Sequence, residues 1–143
     1  MLSLNEYLEI GMTARIKKIV QMEDASANAS SYLNSYLSTS ACAAFAVAAA
    51  MKITDGRLPE GYLSVGSRLE LEHRVPAMVG TAVTVEATLR EIRGNRLIFS
   101  IVGSDALGEV FTAENERAVV NRLGLDERAV ERAEELKSLK EKL

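Results

Sequence analysis

The chain holds one histidine, His73, and one cysteine, Cys42, so proton transfer near neutral pH has a single imidazole to run through. Leu69, Leu71, His73 and Val75 alternate with Glu70, Glu72 and Arg74, the period of a strand with one apolar face. His73 is therefore expected to point inward, either as a satisfied core residue or as a general base. Ser38-Thr39-Ser40 stands directly before a long apolar run. A hydroxyl there is a helix cap by default, but a helix start also offers free N–H groups and the positive end of a dipole, which suit polarising a carbonyl. Cys42 has a nucleophile's chemistry yet lies inside the apolar run, so it reads as a small buried residue outside the site.

One histidine and one cysteine cannot build a metal-ligand cluster or an internal disulfide, and no glycine-rich phosphate loop is present, so no metal and no cofactor are expected. The lone thiol suits a reducing compartment and predicts a cytoplasmic protein. With 17 basic and 20 acidic residues the net charge is -3, and the scattered cations give no footprint for nucleic acid. The longest apolar run, Ala41 to Met51, has 11 residues, short of the roughly 20 that a membrane span needs. Asn5, Glu6 and Glu9 interrupt the N-terminal stretch, which does not read as a signal peptide. A soluble chain with no membrane partner is expected.

The elements that would position these residues follow from periodicity. At 143 residues a single domain over 1–143 is expected, long enough to bury its own core. Residues 10–20 read as a first strand, with Ile10, Met12, Ala14 and Ile16 on one face. The polar and aromatic mixture of 23–37 reads as a short helix or ordered loop. The alanine-rich run after Thr39 favours helix and has no polar face, which predicts a helix enclosed by protein on all sides. Turns at Asp55-Gly56 and Pro59-Glu60-Gly61 open a region of strands reaching Asn121. Within it Val83, Val85, Ala87 and Leu89 alternate, Arg93-Gly94-Asn95-Arg96 reads as a tight hairpin, and Asp105 to Gly108 makes a second turn. Val130, Ala133, Leu136, Leu139 and Leu143 recur at helical spacing among charges, predicting a surface helix over about 126–142. Strand, apolar helix and four further strands give an α+β architecture, an antiparallel sheet wrapped around a central apolar helix.

In that order, several motifs resemble the hot-dog-fold thioesterase superfamily, and within it the fluoroacetyl-CoA thioesterase-like family. The resemblance spans about 10–121 and rests on Leu37-Ser38-Thr39, Leu58-Pro59-Glu60-Gly61, Val65-Gly66, His73, Val79-Gly80, Gly94-Asn95-Arg96-Leu97 and Glu116-Arg117-Ala118-Val119-Val120. It implies a hot-dog fold, acyl-CoA thioester chemistry, and homodimers or higher homo-oligomers with sites at the subunit interface. The family's catalytic set is a helix-start hydroxyl, a helix glutamate and a strand histidine. Thr39 and His73 match two of them. The glutamate position falls on Val47, the usual proline after the threonine is Ser40, and the family's late histidine is replaced by Asn115. Hot-dog hydratases carry an aspartate five residues before their histidine, where this chain has Arg68.

The expected site is accordingly Thr39 and His73 as the catalytic pair. Leu33, Leu37, Phe45 and Met78 are acyl-pocket candidates that read equally as core, Gly66 and Gly80 are positions of close backbone approach or of relief in curved strands, and Asn115 completes the set. Two functions compete: hydrolysis of a small acyl-CoA thioester, and, because Val47 carries no proton, binding of acyl-CoA or a small ligand without catalysis. A third reading, weaker, is an interaction domain that meets its partner through the C-terminal helix.

Overall fold

The computed structural model describes residues 2–142. Five strands, β1 (Thr13–Ile19), β2 (Tyr62–His73), β3 (Ala82–Arg93), β4 (Arg96–Asp105) and β5 (Gly108–Asn121), form one antiparallel sheet in the order β1-β3-β4-β5-β2. Helix α1 (Thr39–Thr54) packs against one face of the sheet and α2 (Arg122–Lys142) follows β5. This is the α+β hot-dog arrangement that the sequence predicts.

The core is written in two periods. Val83, Val85, Ala87 and Leu89 of β3 and Leu97, Phe99 and Ile101 of β4 alternate inward and are essentially inaccessible, as the strand period of two requires. Cys42, Phe45, Ala46, Ala49, Ala50 and Ile53 of α1 are buried against them, a stripe at helical spacing. The prediction of a helix enclosed on every side is corrected. Ala44 and Ala48 are exposed and Val47 is half-buried, because the sheet covers one side of the helix and these positions lie on the other.

Other boundaries shift for local reasons. The first strand begins at Thr13 rather than Ile10, since Gly11 turns with φ +98° and leaves Ile10 exposed. The segment between β1 and α1 is a pair of 3-10 helices, Met22–Asn28 and Ser31–Leu33. The hairpin between β3 and β4 pairs Arg93 with Arg96 and places Gly94 at φ +60°, where a two-residue turn favours glycine. Helix α2 starts four residues before the expected 126, where the Asn121 side chain accepts the Gly124 N–H at 3.2 Å, an N-cap bond. Leu143 lies outside the described residues.

A β-bulge on β2 decides which of its residues face the helix. On β2 the register with β5 shifts between Gly66 and Arg68, and Ser67 donates its hydroxyl to the Glu116 carbonyl at 3.0 Å. The extra residue reverses the strand's parity. Ser64 faces the core before it, whereas Leu69, Leu71 and His73 are the half-buried positions after it. On β4, Gly103 lies opposite Phe111, and a Cβ at Gly103 would sit 2.1 Å from Phe111 Cε1. The Phe111 ring therefore occupies the space a side chain would take. Gly103→Ala is expected to lower stability by about 1–3 kcal/mol through overpacking, measured as a lower urea midpoint with an unchanged slope; an unchanged midpoint would contradict this packing.

Candidate active site

Thr39 is set in place by the chain before it. Leu37 N–H donates to the Ala77 carbonyl at 2.8 Å, Ser38 N–H to the Asp24 carbonyl at 2.8 Å, and Asp24 itself accepts the Gln21 N–H at 2.8 Å. Ser38 is the cap of α1, its hydroxyl accepting the Ala41 N–H at 3.0 Å. Thr39 is thereby released from capping. Among the described residues the Thr39 and Ser40 N–H groups have no protein acceptor, as first-turn donors lack one within a helix.

His73 comes from the other side, as the last residue of β2. It lies opposite the fully buried Phe111 of β5, and the Arg74 N–H donates to the Val110 carbonyl at 2.8 Å, closing the strand. The two elements bring Thr39 Oγ1 to 3.0 Å from His73 Nδ1. This is the reach over which a base takes a hydroxyl proton. Cys42 follows Thr39 by three residues on α1, and its sulfur lies 4.0 Å from Nδ1 and 3.9 Å from Nε2 of the same ring. Burial pushes the Cys42 thiol up from 9.0 to about 12, so it is neutral at physiological pH and no nucleophile.

The pair opens onto a cleft of about 430 Å³ lined by Asn28, Leu33, Tyr36, Leu37, Thr39, His73, Arg74, Val75 and Pro76. Asn28 shapes its wall by donating its amide to the Leu33 and Tyr36 carbonyls at 3.0 and 2.9 Å. A larger concavity of about 770 Å³ lies on the outer sheet face among Glu70, Glu72, Glu114 and Arg74. Its charges are tied in exposed ion pairs, Arg68 to Glu70 and Glu114 and Arg74 to Glu72, and it contains no group suited to acyl transfer.

Of the residues expected at the site, Thr39, His73, Leu33 and Leu37 meet in this cleft. Phe45 is buried in the core, Met78 is 53% exposed and pairs with Tyr36 in an isolated bridge, and Gly80 turns into β3 at φ +94°. Gly66 and Asn115 belong to a second cluster towards the other end of β2. There the Asn115 amide donates to the Arg68 carbonyl at 2.9 Å, and a Cβ at Gly66 would sit 3.4 Å from Arg117 Nη1. Arg117 is 4% exposed and donates to the Ser64 hydroxyl, the Ser64 carbonyl and Asn115 Oδ1 at 3.0, 3.1 and 3.2 Å. Burial pushes its guanidinium down, and the charge of Asp55 offsets part of that. Sequence reasoning missed Arg117 as a buried cation. The signal available was parity, since Arg117 shares its face of β5 with Phe111, Ala113 and Asn115.

The model of the fluoroacetyl-CoA-specific thioesterase family matches residues 20–123. The chain belongs to that family. Among solved structures it is similar to a hot-dog-like protein from Thermanaerovibrio acidaminovorans, 36% identical over 92% of this chain and 97% of the other, with a TM-score of 0.89. A thioesterase superfamily member from Thermus thermophilus is 20% identical over 92% and 97%, TM-score 0.83. The fluoroacetyl-CoA thioesterase FlK is 20% identical over 87% and 96%, TM-score 0.78. No match is found among curated proteins. Val47 of α1 is half-buried.

The raised thiol has a thermodynamic consequence of defined sign. The fold favours neutral Cys42, so this stabilisation is fully present below pH 9 and is lost as pH rises from 9 towards about 12, where the unfolded chain binds fewer protons than the native one. Denaturant unfolding at a series of pH values is expected to show stability falling more steeply above pH 9 in the native protein than in Cys42→Ala; parallel curves would contradict a buried neutral thiol.

Proposed function

We propose that this protein hydrolyses a small acyl-CoA thioester. The observation that carries the reading is the 3.0 Å contact between Thr39 Oγ1 and His73 Nδ1 at the head of α1, on an open cleft. His73 serves as the base, and Thr39 holds the reacting oxygen, its own or that of a water bound to it, at the ring nitrogen. The free N–H groups of Thr39 and Ser40 at the positive end of α1 face developing negative charge on the thioester oxygen. Solved FlK variants carry fluoroacetate with CoA in one case and acetyl-CoA in another, which supports the choice of carrier.

The protein acts as a single domain in a cytoplasmic homodimer with its sites at the subunit interface. Support comes from β2, which among the described residues pairs only with β5 and leaves a 12-residue edge free, and from the exposed apolar Ala44 and Ala48 on the uncovered side of α1. A long open edge is a template for a further strand. Sedimentation velocity is expected to give a dimer at micromolar concentration; a monomer would reject the interface site.

Release of free thiol from a panel of short, branched and aromatic acyl-CoA thioesters tests the activity. Thr39→Ala and His73→Ala are each expected to lower kcat by about 10²-fold or more, and a panel giving no turnover above background would reject hydrolysis. Val47 favours a second reading, ligand binding without turnover, because no carboxylate stands at that position. In that case acyl-CoA raises the melting temperature by mass action and no thiol appears. Val47→Glu is expected to increase thiol release at least tenfold if the scaffold otherwise retains its chemistry; a folded variant with no gain would remove the valine as the cause of slow turnover.

A further inference from the structure

A base acting through one imidazole nitrogen needs its ring held in one orientation, and a carboxylate or carbonyl on the second nitrogen commonly does this. Among the described residues, the side chains in polar contact with the His73 ring are Thr39 and Cys42. The sulfur lies at nearly equal distances, 4.0 and 3.9 Å, from the two nitrogens. It is therefore on the in-plane lone-pair axis of neither, and it packs against the ring rather than bonding along one axis. Cys42 is 0% exposed and is not part of the cleft wall, so it meets the ring from the protein side.

The surroundings leave the ring few alternatives. Phe111, fully buried, lies opposite His73 in register on the neighbouring strand, and directly paired residues share a sheet face. Phe111 in turn occupies the space above Gly103. Thr39 and Cys42 are three residues apart on α1 and so lie on one side of the helix. The imidazole is thus bounded by Phe111 across the sheet and by Thr39 and Cys42 from the helix.

From this geometry we infer that Cys42 is the positioning residue for His73, its sulfur packing against the ring and holding it in the rotamer that keeps Nδ1 at Thr39, whose hydrogen bond to that nitrogen then fixes the tautomer. The thiol remains neutral and takes no proton from the ring. It does not contact substrate, and its part in catalysis is exerted through His73. The inference rests on the proposed role of His73 for its kinetic consequence, whereas the state of the ring is measurable whether or not the protein turns over acyl-CoA.

His73 is the chain's one histidine, so ring carbon and nitrogen NMR signals need no assignment. The native protein is expected to show one set of ring signals with a single dominant tautomer. Cys42→Ala, which removes the heavy atom against the ring, is expected to give mixed tautomers and increased ring motion, with kcat about tenfold lower and KM within twofold wherever turnover is measurable. Cys42→Ser restores a heavy atom at that place and is expected to recover the single tautomer and most of kcat. A folded Cys42→Ala whose ring tautomer and motion match the native protein overturns the inference. Should Cys42→Ala fail to fold, the same ring measurements on Cys42→Thr decide: a retained single tautomer supports the inference, and mixed tautomers in a folded Cys42→Thr overturn it. Loss of all turnover with an ordered ring in the native protein rejects hydrolysis and leaves the positioning role standing.

Discussion

The close approach of α1 to the sheet is the constraint on which the rest depends. Ala46, Ala49 and Ala50 are fully buried where the helix crosses the strands, and side chains this small let the helix backbone come near the sheet. That approach carries the N-terminal turn of α1 to the end of β2. Phe45 and Ile53 fill the spaces to either side, while Cys42 packs where the helix meets His73. A bulkier face would lift the helix away and open the 3.0 Å contact between Thr39 and His73.

The same constraint explains why two polar clusters stand at different places along β2. One joins Thr39, Cys42 and His73 near the helix start, and the other joins Ser64, Asn115 and Arg117 beyond the bulge at Ser67. In the second, three neutral acceptors replace water around a buried cation whose charge is offset only in part by Asp55. Desolvating an arginine without a paired carboxylate is costly. The fold accommodates it with hydrogen bonds to backbone and side-chain oxygens, and the glycine at 66 leaves room for the guanidinium.

Much of this architecture is legible in the sequence alone. The alternation of β3 and β4, the Gly94-Asn95 hairpin and the apolar run of α1 are local signals, and each element formed where its period indicated. Less legible were features set by pairing. The bulge at Ser67 inserts one residue whose identity gives no signal of it, yet it reverses which side chains of β2 face the helix. The exposed flank of α1 was hidden for a related reason, since hydrophobicity says that a face seeks cover and not whether the same chain provides it. Burial of Cys42 follows from its place inside the apolar run. Its neighbour His73 does not follow, being 31 residues away in sequence and 3.9 Å away in space.

By itself the sequence determined the fold class, the order of elements and the two side chains with suitable chemistry, because propensity, periodicity and the scarcity of titratable groups are properties of the chain. Only the tertiary structure decided that Thr39 and His73 share a hydrogen bond, that Cys42 touches the same ring, and that Gly66 and Asn115 belong with Arg117 instead. Those outcomes depend on strand register and on how closely a helix approaches a sheet. Both are set by the packing of residues distant in sequence, and a shift of one residue in register turns a side chain from one face to the other.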